Sequence, residues 1–454
     1  MDWSGRRVLV LGAGLTGLSA ARWLSRRGAR VRVVDSKPAP PMAARIAAEV
    51  PGADVRGGGF AADAFREIDL MVISPGVPRS EPAVRAAQAR GVPLVGDVEL
   101  FAQALAQRGS TAKVLAVTGS NGKSTVTALA GAMCREAGLA TTVAGNIGLP
   151  VLDALDAEER APDVYVLELS SFQLESTENL EPDAATMLNL SEDHLDRYRD
   201  MHAYAEAKAR IFAGDGVQVL NRDDACSRAM ARPGRRVITF GLGVPPHAAD
   251  YGLAQADGVW LVRGGERLMP ARELPLAGAH NAANALAAWG LAAAIGVDDA
   301  SAAAAARGFP GLPHRMQRVA EIGGATFYND SKGTNVGATV AALAGMDRPV
   351  VLIAGGDGKG QDFAPLAAPV CERVRAAVLL GRDRRLIADA IRGCGVPMHL
   401  VESMDEAVRT AFEAARPGDA VLLSPACASF DMFRNYEHRG EMFVEAVARL
   451  EAER

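Results

Sequence analysis

The sequence is poor in aromatic residues, which fill 5% of its 454 positions, and it holds only five cysteines, Cys134, Cys226, Cys371, Cys394 and Cys427. Their number is odd, they are scattered and no CxxC occurs, which argues against a disulfide framework and a structural zinc site. No uninterrupted apolar run is long enough to span a bilayer, so no membrane partner is expected. A strong excess of one charge is also missing. Lys plus Arg is 49 and Asp plus Glu is 54, a net charge of −5. That balance argues against a nucleic-acid partner and leaves room for small anionic ligands held by local groups. Arg6-Arg7 before VLVLGAGLTGLSAA resembles the start of a secretion signal. The glycine spacing inside that run is better explained as a ligand loop, and a cytoplasmic protein is expected.

What is present is a globular α/β pattern. With 49% hydrophobic and 23% charged residues the chain can build sizeable cores, and its length suggests about three domains. RRVLVLGAG, RVRVVDSK and LMVISPGVP read as strands separated by helical segments, the signature of a parallel sheet with crossover helices. A polar stretch at 107–112 marks a boundary. KVLAVTG, DVYVLELS and AATMLNLS then continue the pattern, followed by a β-rich portion around 217–275 and an Ala-rich helix from Asn281 to Ile295. A second boundary lies at 307–313. The last unit alternates again through ATFYNDS, VVLIAGG, AAVLLG and AVLLSPA. The expected domains are 1–107, 108–306 and 307–454: a Rossmann-like unit, a P-loop ATPase-like unit and a second Rossmann-like unit.

The strongest local motif is Thr118-Gly119-Ser120-Asn121-Gly122-Lys123-Ser124-Thr125, between an apolar strand and a helix. Glycines let the backbone approach phosphate oxygens, and successive N–H groups at the helix N-terminus face the anion. Lys123 suits the terminal phosphates and the Ser124 hydroxyl suits Mg²⁺. The general pattern has four residues between its glycines and this one has two, so it is a shortened P-loop. A second motif, Gly12-Ala13-Gly14-Leu15-Thr16-Gly17 with Asp35 ending the next strand, matches the dinucleotide fingerprint. It is physically a diphosphate site and does not say which nucleotide is attached.

Glu168, in LELSSFQL, ends a strand where a further Mg²⁺-directed group follows a P-loop. His194 lies in the acidic loop NLSEDHLDRY. Three strand-end loops in the last unit, NDSKGTN, GGDGKG and SPACAS, bring Lys, Ser and Thr together with loop N–H groups, a combination suited to carboxylates and phosphates. Cys427 has no base partner in the sequence and reads as a small buried residue.

These motifs resemble the Mur ligase family along essentially the whole chain. The resemblance rests on GSNGKST, AGNIG, LELSSFQL, NLSEDHLDRY, YAEAKARIF, HNAANALAA, GLPHR, NDSKGTN, GGDGKGQDF and LSPACASFDMFRNYEHRG. GAGLTGLS and the closing motif are similar to the branch that adds D-glutamate. Two positions depart slightly from the pattern: Gly333 stands where Ala is frequent and Tyr436 where Phe is common.

The resemblance implies an ATP-dependent, ADP-forming ligase of peptidoglycan precursor synthesis that acts as a monomer. It implies that Leu15, Thr16, Asp35, Ser36 and Ser74 hold the UDP part of UDP-N-acetylmuramoyl-L-alanine. Gly119, Ser120, Asn121, Gly122, Lys123, Ser124 and Thr125 would cradle ATP, with Asn281, Asn284, Arg315 and Asp330 also on the nucleotide. Two Mg²⁺ ions are implied, with Ser124, Glu168, His194 and Lys208 as metal groups, and Asn146 and His194 at the substrate. Lys208 matches a lysine that the family carbamylates; read without the resemblance it is an exposed helix lysine. Lys332, Thr334, Lys359, Ser429 and Tyr436 match the region that holds D-glutamate.

Three other readings compete. An NAD-dependent oxidoreductase explains the first glycine motif and leaves the P-loop and last unit unexplained. A folylpolyglutamate synthase-like or other Mur-type ligase shares GSNGKST and has no reason for GAGLTGLS. A nucleotide-binding switch would bind ATP without amino-acid-dependent turnover.

Overall fold

Apolar runs that end in glycine-rich loops become strands covered on both faces. Val8, Leu9, Val10 and Leu11 are all fully buried, as a parallel sheet sandwiched between helices requires. The computed structural model describes residues 2–156, 161–193, 197–276 and 278–453. Within them the strands form three sheets, of five, nine and six strands.

The first sheet is parallel throughout, in the order Asp54–Arg56, Arg30–Val34, Arg7–Leu11, Leu70–Ile73, Leu94–Gly96. In the second, Lys113–Thr118 lies between Val164–Glu168 and Ala184–Met187. This sheet is parallel from Thr141–Gly145 across to Tyr251–Gln255, and two antiparallel strands, Val259–Arg263 and Glu266–Pro270, finish it. The third runs Gln317–Ile322, Ala325–Asn329, Ala420–Leu423, Val350–Gly355, Val374–Leu380, Met398–Leu400, with its first strand antiparallel. This is the α/β architecture that the alternating pattern predicts.

The first two units share one apolar core. Helix Asp97–Gln107 contributes Leu100 and Phe101 to a cluster that holds Val8 and Val10 of the first sheet and Val114 and Tyr165 of the second. Phe101 meets Tyr165 edge-on, centroids 5.1 Å apart. Arg22 adds ion pairs to Glu49 at 2.6 Å and, across the seam, to Asp153 at 2.8 Å. Such pairs add little beside the buried aromatic area. The third unit builds its own cores, drawn only from residues after Arg315. Polar contacts join its strand-end loops to the P-loop.

One expectation needs correction. Cys371 and Cys394 form a disulfide, with Cα atoms 4.7 Å apart, while Cys134, Cys226 and Cys427 are free. Cys371 lies in helix Ala367–Arg373 and Cys394 in the turn Arg392–Cys394, on either side of strand Val374–Leu380. Sequence spacing carries no trace of that pairing, because the crossover brings the two segments together in space.

Candidate active site

The P-loop leaves the middle of the second sheet and enters helix Lys123–Glu136. Lys123 folds back over its own loop, its Nζ donating to the carbonyls of Gly119 and Ser120, both at 2.9 Å. Loss of solvent lowers its pKa, with nearby Glu168 opposing and Arg315 adding to the effect. Lys208 approaches from helix Met201–Ala209, is 1% exposed, and donates from Nζ to the same Gly119 carbonyl at 2.8 Å. The reading of Lys208 as an exposed helix lysine is therefore wrong. Burial, and then the charge of Lys123, push it well below the usual lysine range.

Glu168 sits at the end of the strand beside the P-loop strand, opposite Val117. Its Oε1 accepts from Asn146 Nδ2 at 2.7 Å, and its buried Oε2 has no hydrogen-bond partner among the described residues. A buried carboxylate oxygen left without a donor is costly unless something cationic completes it. With the Ser124 hydroxyl it offers hard oxygen donors suited to Mg²⁺. Among the described residues no three His, Cys, Asp or Glu cluster as a metal cage. His194 lies outside the described residues.

Two adjoining cavities flank the loop. One, of about 190 Å³, is lined by Asn121, Gly122, Thr125, Asn281, Asn284, Arg315, Asp330 and Lys332. The other, of about 340 Å³, is lined by Ser120, Lys123, Asn146, Glu168 and Lys208 from the second unit and by Lys332, Thr334, Lys359, Ser429 and Tyr436 from the third. The structure thus brings together most of the candidate residues of those two units around the loop, with Gly119 and Ser124 behind the cavity walls. Asn121, Gly122, Arg315 and Lys332 border both cavities.

Within them, Asp330 is buried, accepts from Ser424 Oγ at 2.8 Å, and is raised to about 6 by desolvation. Lys332 Nζ stands 3.7 Å from the centre of the Tyr436 ring. Burial lowers Lys332 to about 8, with Arg315 and Lys123 adding like-charge repulsion. Lys359 occupies left-handed backbone, φ 52°, an uncommon conformation for a residue with a side chain, found often at functional loops.

The first-unit candidates stand apart from these two cavities, although Pro75 and Gly76 reach the larger one. Asp35 shapes the glycine loop, its carboxylate accepting from Ala13 N at 2.7 Å and Lys37 N at 2.8 Å. Leu15 and Ser36 are exposed, Thr16 is half-buried, and Ser74 Oγ lies 3.4 Å from the Gly12 carbonyl. Gly17 permits this packing: a Cβ there would fall 1.9 Å from the Gly12 carbonyl oxygen.

Sequence reasoning missed Arg439. This guanidinium is 1% exposed and binds Ser331 through Nε to Oγ at 3.0 Å and Nη2 to the carbonyl at 2.8 Å, with Nη1 on the Cys427 carbonyl at 3.0 Å. It ties two of the third-unit loops together, and desolvation lowers it to about 10. The only signal was its place in the closing motif. Cys427 is fully buried, and burial pushes its thiol up to about 12, as a packing residue predicts.

The chain belongs to the Mur ligase family. Residues 6–96 match the model of the Mur ligase MurD-like N-terminal domain, 117–292 the Mur ligase middle domain, and 314–427 the Mur ligase glutamate ligase domain. The UDP-N-acetylmuramoylalanine–D-glutamate ligase of Methylobacillus flagellatus is 60% identical, over 98% of this chain and 97% of that protein. The protein of the same name from Thiobacillus denitrificans is 57% identical, over 100% and 98%. Among solved structures, the UDP-N-acetylmuramate-alanine ligase of Thermotoga maritima shares the fold, with TM-score 0.62 at 19% identity over 99% of this chain and 100% of that one. A pseudomurein peptide ligase type C from Methanothermus fervidus gives 0.59 at 17% identity, over 98% and 100%.

Proposed function

We propose that this chain joins D-glutamate to UDP-N-acetylmuramoyl-L-alanine at the expense of ATP, in the cytoplasm. The observation that carries the reading is the larger cavity. There a P-loop lysine and an orphaned carboxylate face three strand-end loops of another unit that offer Lys332, Thr334, Lys359 and Ser429. The names of the relatives at 60% and 57% identity support the choice of substrates.

Joining a carboxylate to an amine in water is uphill, so the carboxylate must first be activated. A carboxylate oxygen of the alanine attacks the γ-phosphorus of ATP, ADP leaves, and an acyl phosphate forms. The amine of D-glutamate then attacks the acyl carbon. The tetrahedral intermediate collapses to the amide and inorganic phosphate. The obstacle is electrostatic, because a carboxylate must approach a polyanion. Lys123 and Arg315 place positive charge where the phosphates bind. Lys332, Lys359, Thr334 and Ser429 orient the glutamate carboxylates, and Asn281, Asn284 and Asp330 line the nucleotide side. Leu15, Thr16, Asp35, Ser36 and Ser74 hold the UDP end.

Ser124, Glu168, His194 and a carbamate on Lys208 are the groups that would hold Mg²⁺, two ions in this reading; bound there, the metal neutralises charge on the transferring phosphoryl. A lysine carries a carbamate only after its amine reacts, uncharged, with CO₂. A Lys208 kept out of solvent beside the Lys123 cation suits that reaction.

The test is phosphate release from ATP in the presence of UDP-N-acetylmuramoyl-L-alanine while D-glutamate, L-glutamate, L-lysine, meso-diaminopimelate and D-Ala-D-Ala are exchanged. Release with D-glutamate alone is expected. Release with another amino acid reassigns the third-unit loops, and release without any makes the chain an ATPase.

A further inference from the structure

The third unit touches the P-loop itself through a side chain that none of the roles above employs. Asn335 is 3% exposed and caps helix Val336–Ala344, its Oδ1 accepting from Ala338 N at 2.8 Å. Its Nδ2 also donates to Asn121 Oδ1 at 3.3 Å and to Asp193 Oδ2 at 3.4 Å, while Asn121 Nδ2 returns a bond to Asn335 Oδ1 at 3.5 Å. Asn121 is not free to follow. Its N–H donates to Asn189 Oδ1 at 2.8 Å and its carbonyl accepts from Asn189 Nδ2 at 3.1 Å. A second feature marks the same contact. A Cβ on Gly337 would lie 2.9 Å from Ser191 Oγ and 3.4 Å from Asn121 Nδ2. The first turn of the helix is therefore pressed onto the second unit at a point where a Cβ would crowd the Ser191 side chain.

We infer that Asn335 and Gly337 form a docking latch that registers the third unit on the phosphate loop, and that Asn335 is a positioning residue for the amine-transfer step. Lys332 and Thr334 directly precede the latch, so its seating sets their distance from the phosphoryl group. The inference rests on the ligase reading for its kinetic part. It differs from the hydrogen bond of Arg315 Nη2 to Ser124 Oγ, 2.6 Å, which a metal on Ser124 would displace. The amide pair engages a P-loop side chain away from that hydroxyl and can persist with nucleotide bound.

The experiment separates the two half-reactions. Asn335→Ser keeps a good helix cap but is too short to reach Asn121, and Gly337→Ala wedges the contact apart. Acyl phosphate is trapped with hydroxylamine without amino acid, and amide formation is measured with D-glutamate. Both variants are expected to form hydroxamate within about threefold of wild type. Amide formation should fall at least about tenfold, with a raised KM for D-glutamate and an unchanged KM for ATP. Parallel loss of both half-reactions, or loss of neither, overturns the latch. If wild type shows no D-glutamate-dependent turnover, the ligase reading has failed, and X-ray scattering of the ligand-free proteins decides the latch alone. A larger radius of gyration in both variants at unchanged unfolding midpoint supports it, and superimposable curves overturn it.

Discussion

Arg315 Nη2 donates to Ser124 Oγ at 2.6 Å, although 191 residues separate them. A guanidinium from the third unit thus hydrogen-bonds the hydroxyl that a P-loop offers to a metal. A metal cation on that oxygen would repel the guanidinium beside it, so metal binding is expected to shift Arg315 toward the phosphates. Ser124→Ala removes the metal contact and the tether together. The Mg²⁺ concentration that gives half-maximal turnover should rise about tenfold or more, since one inner oxygen is lost. An unchanged Mg²⁺ dependence would show that this hydroxyl does not face the ion.

Lys208 supplies a second test. If its carbamate is the anion required, Lys208→Ala should turn over at least about a hundredfold more slowly. Acetate or formate should partly restore the rate by filling the vacated space with a carboxylate. Wild-type turnover in the alanine variant without added carboxylate rules the carbamate out. Carbon-13 bicarbonate gives an independent readout: a carbamate resonance in the wild type should vanish in the variant.

The chemistry-bearing loops are legible in the sequence because each is local. A strand, a glycine loop and a helix follow one another within a few residues, which is why Lys123, Ser124 and Glu168 stand out from the amino-acid order alone. What depends on distant packing does not stand out. Lys208 lies on a helix with no polar–apolar asymmetry to betray that its lysine points under the P-loop. Arg315–Ser124 and Asn335–Asn121 span 191 and 214 residues, and no periodicity encodes such pairs. Arg439 is hidden for another reason: a buried arginine is expected to pair with a carboxylate, whereas the Ser331 hydroxyl and two carbonyl oxygens satisfy this one.

The seam between the first two units predicts a stability effect. Phe101 is fully buried in the core that both units share and packs edge-on against Tyr165. Phe101→Ala should cost about 3–5 kcal/mol, the range for emptying an aromatic site in a core. Because the core is common, both units should unfold together at a lower denaturant midpoint. A variant in which the first unit melts alone would show that the seam is weaker than its packing implies.

Asp97 lies in the same seam and makes stability depend on pH. It begins helix Asp97–Gln107, where the helix N-terminus favours a carboxylate, yet it is 3% exposed and its Oδ1 meets no well-formed donor among the described residues. Its Oδ2 receives a long bond, 3.5 Å, from Gln173 Nε2, and the backbone N–H groups of Val98 and Asp97 offset part of the cost. Desolvation wins, and the carboxyl is raised from 3.8 to about 6. Below the unfolded value both states are protonated and the group costs nothing. As pH rises, the unfolded chain ionises first while the folded chain keeps its proton, so stability falls until pH passes the folded value. The full penalty is about 3 kcal/mol, of which about 1 kcal/mol accrues between pH 5 and pH 8. Asp97→Asn keeps the shape and removes the charge. Its stability relative to wild type should therefore improve by about that last amount from pH 5 to pH 8, read from urea unfolding at both values. A difference that does not change with pH would mean that Asp97 titrates alike in the folded and unfolded chains.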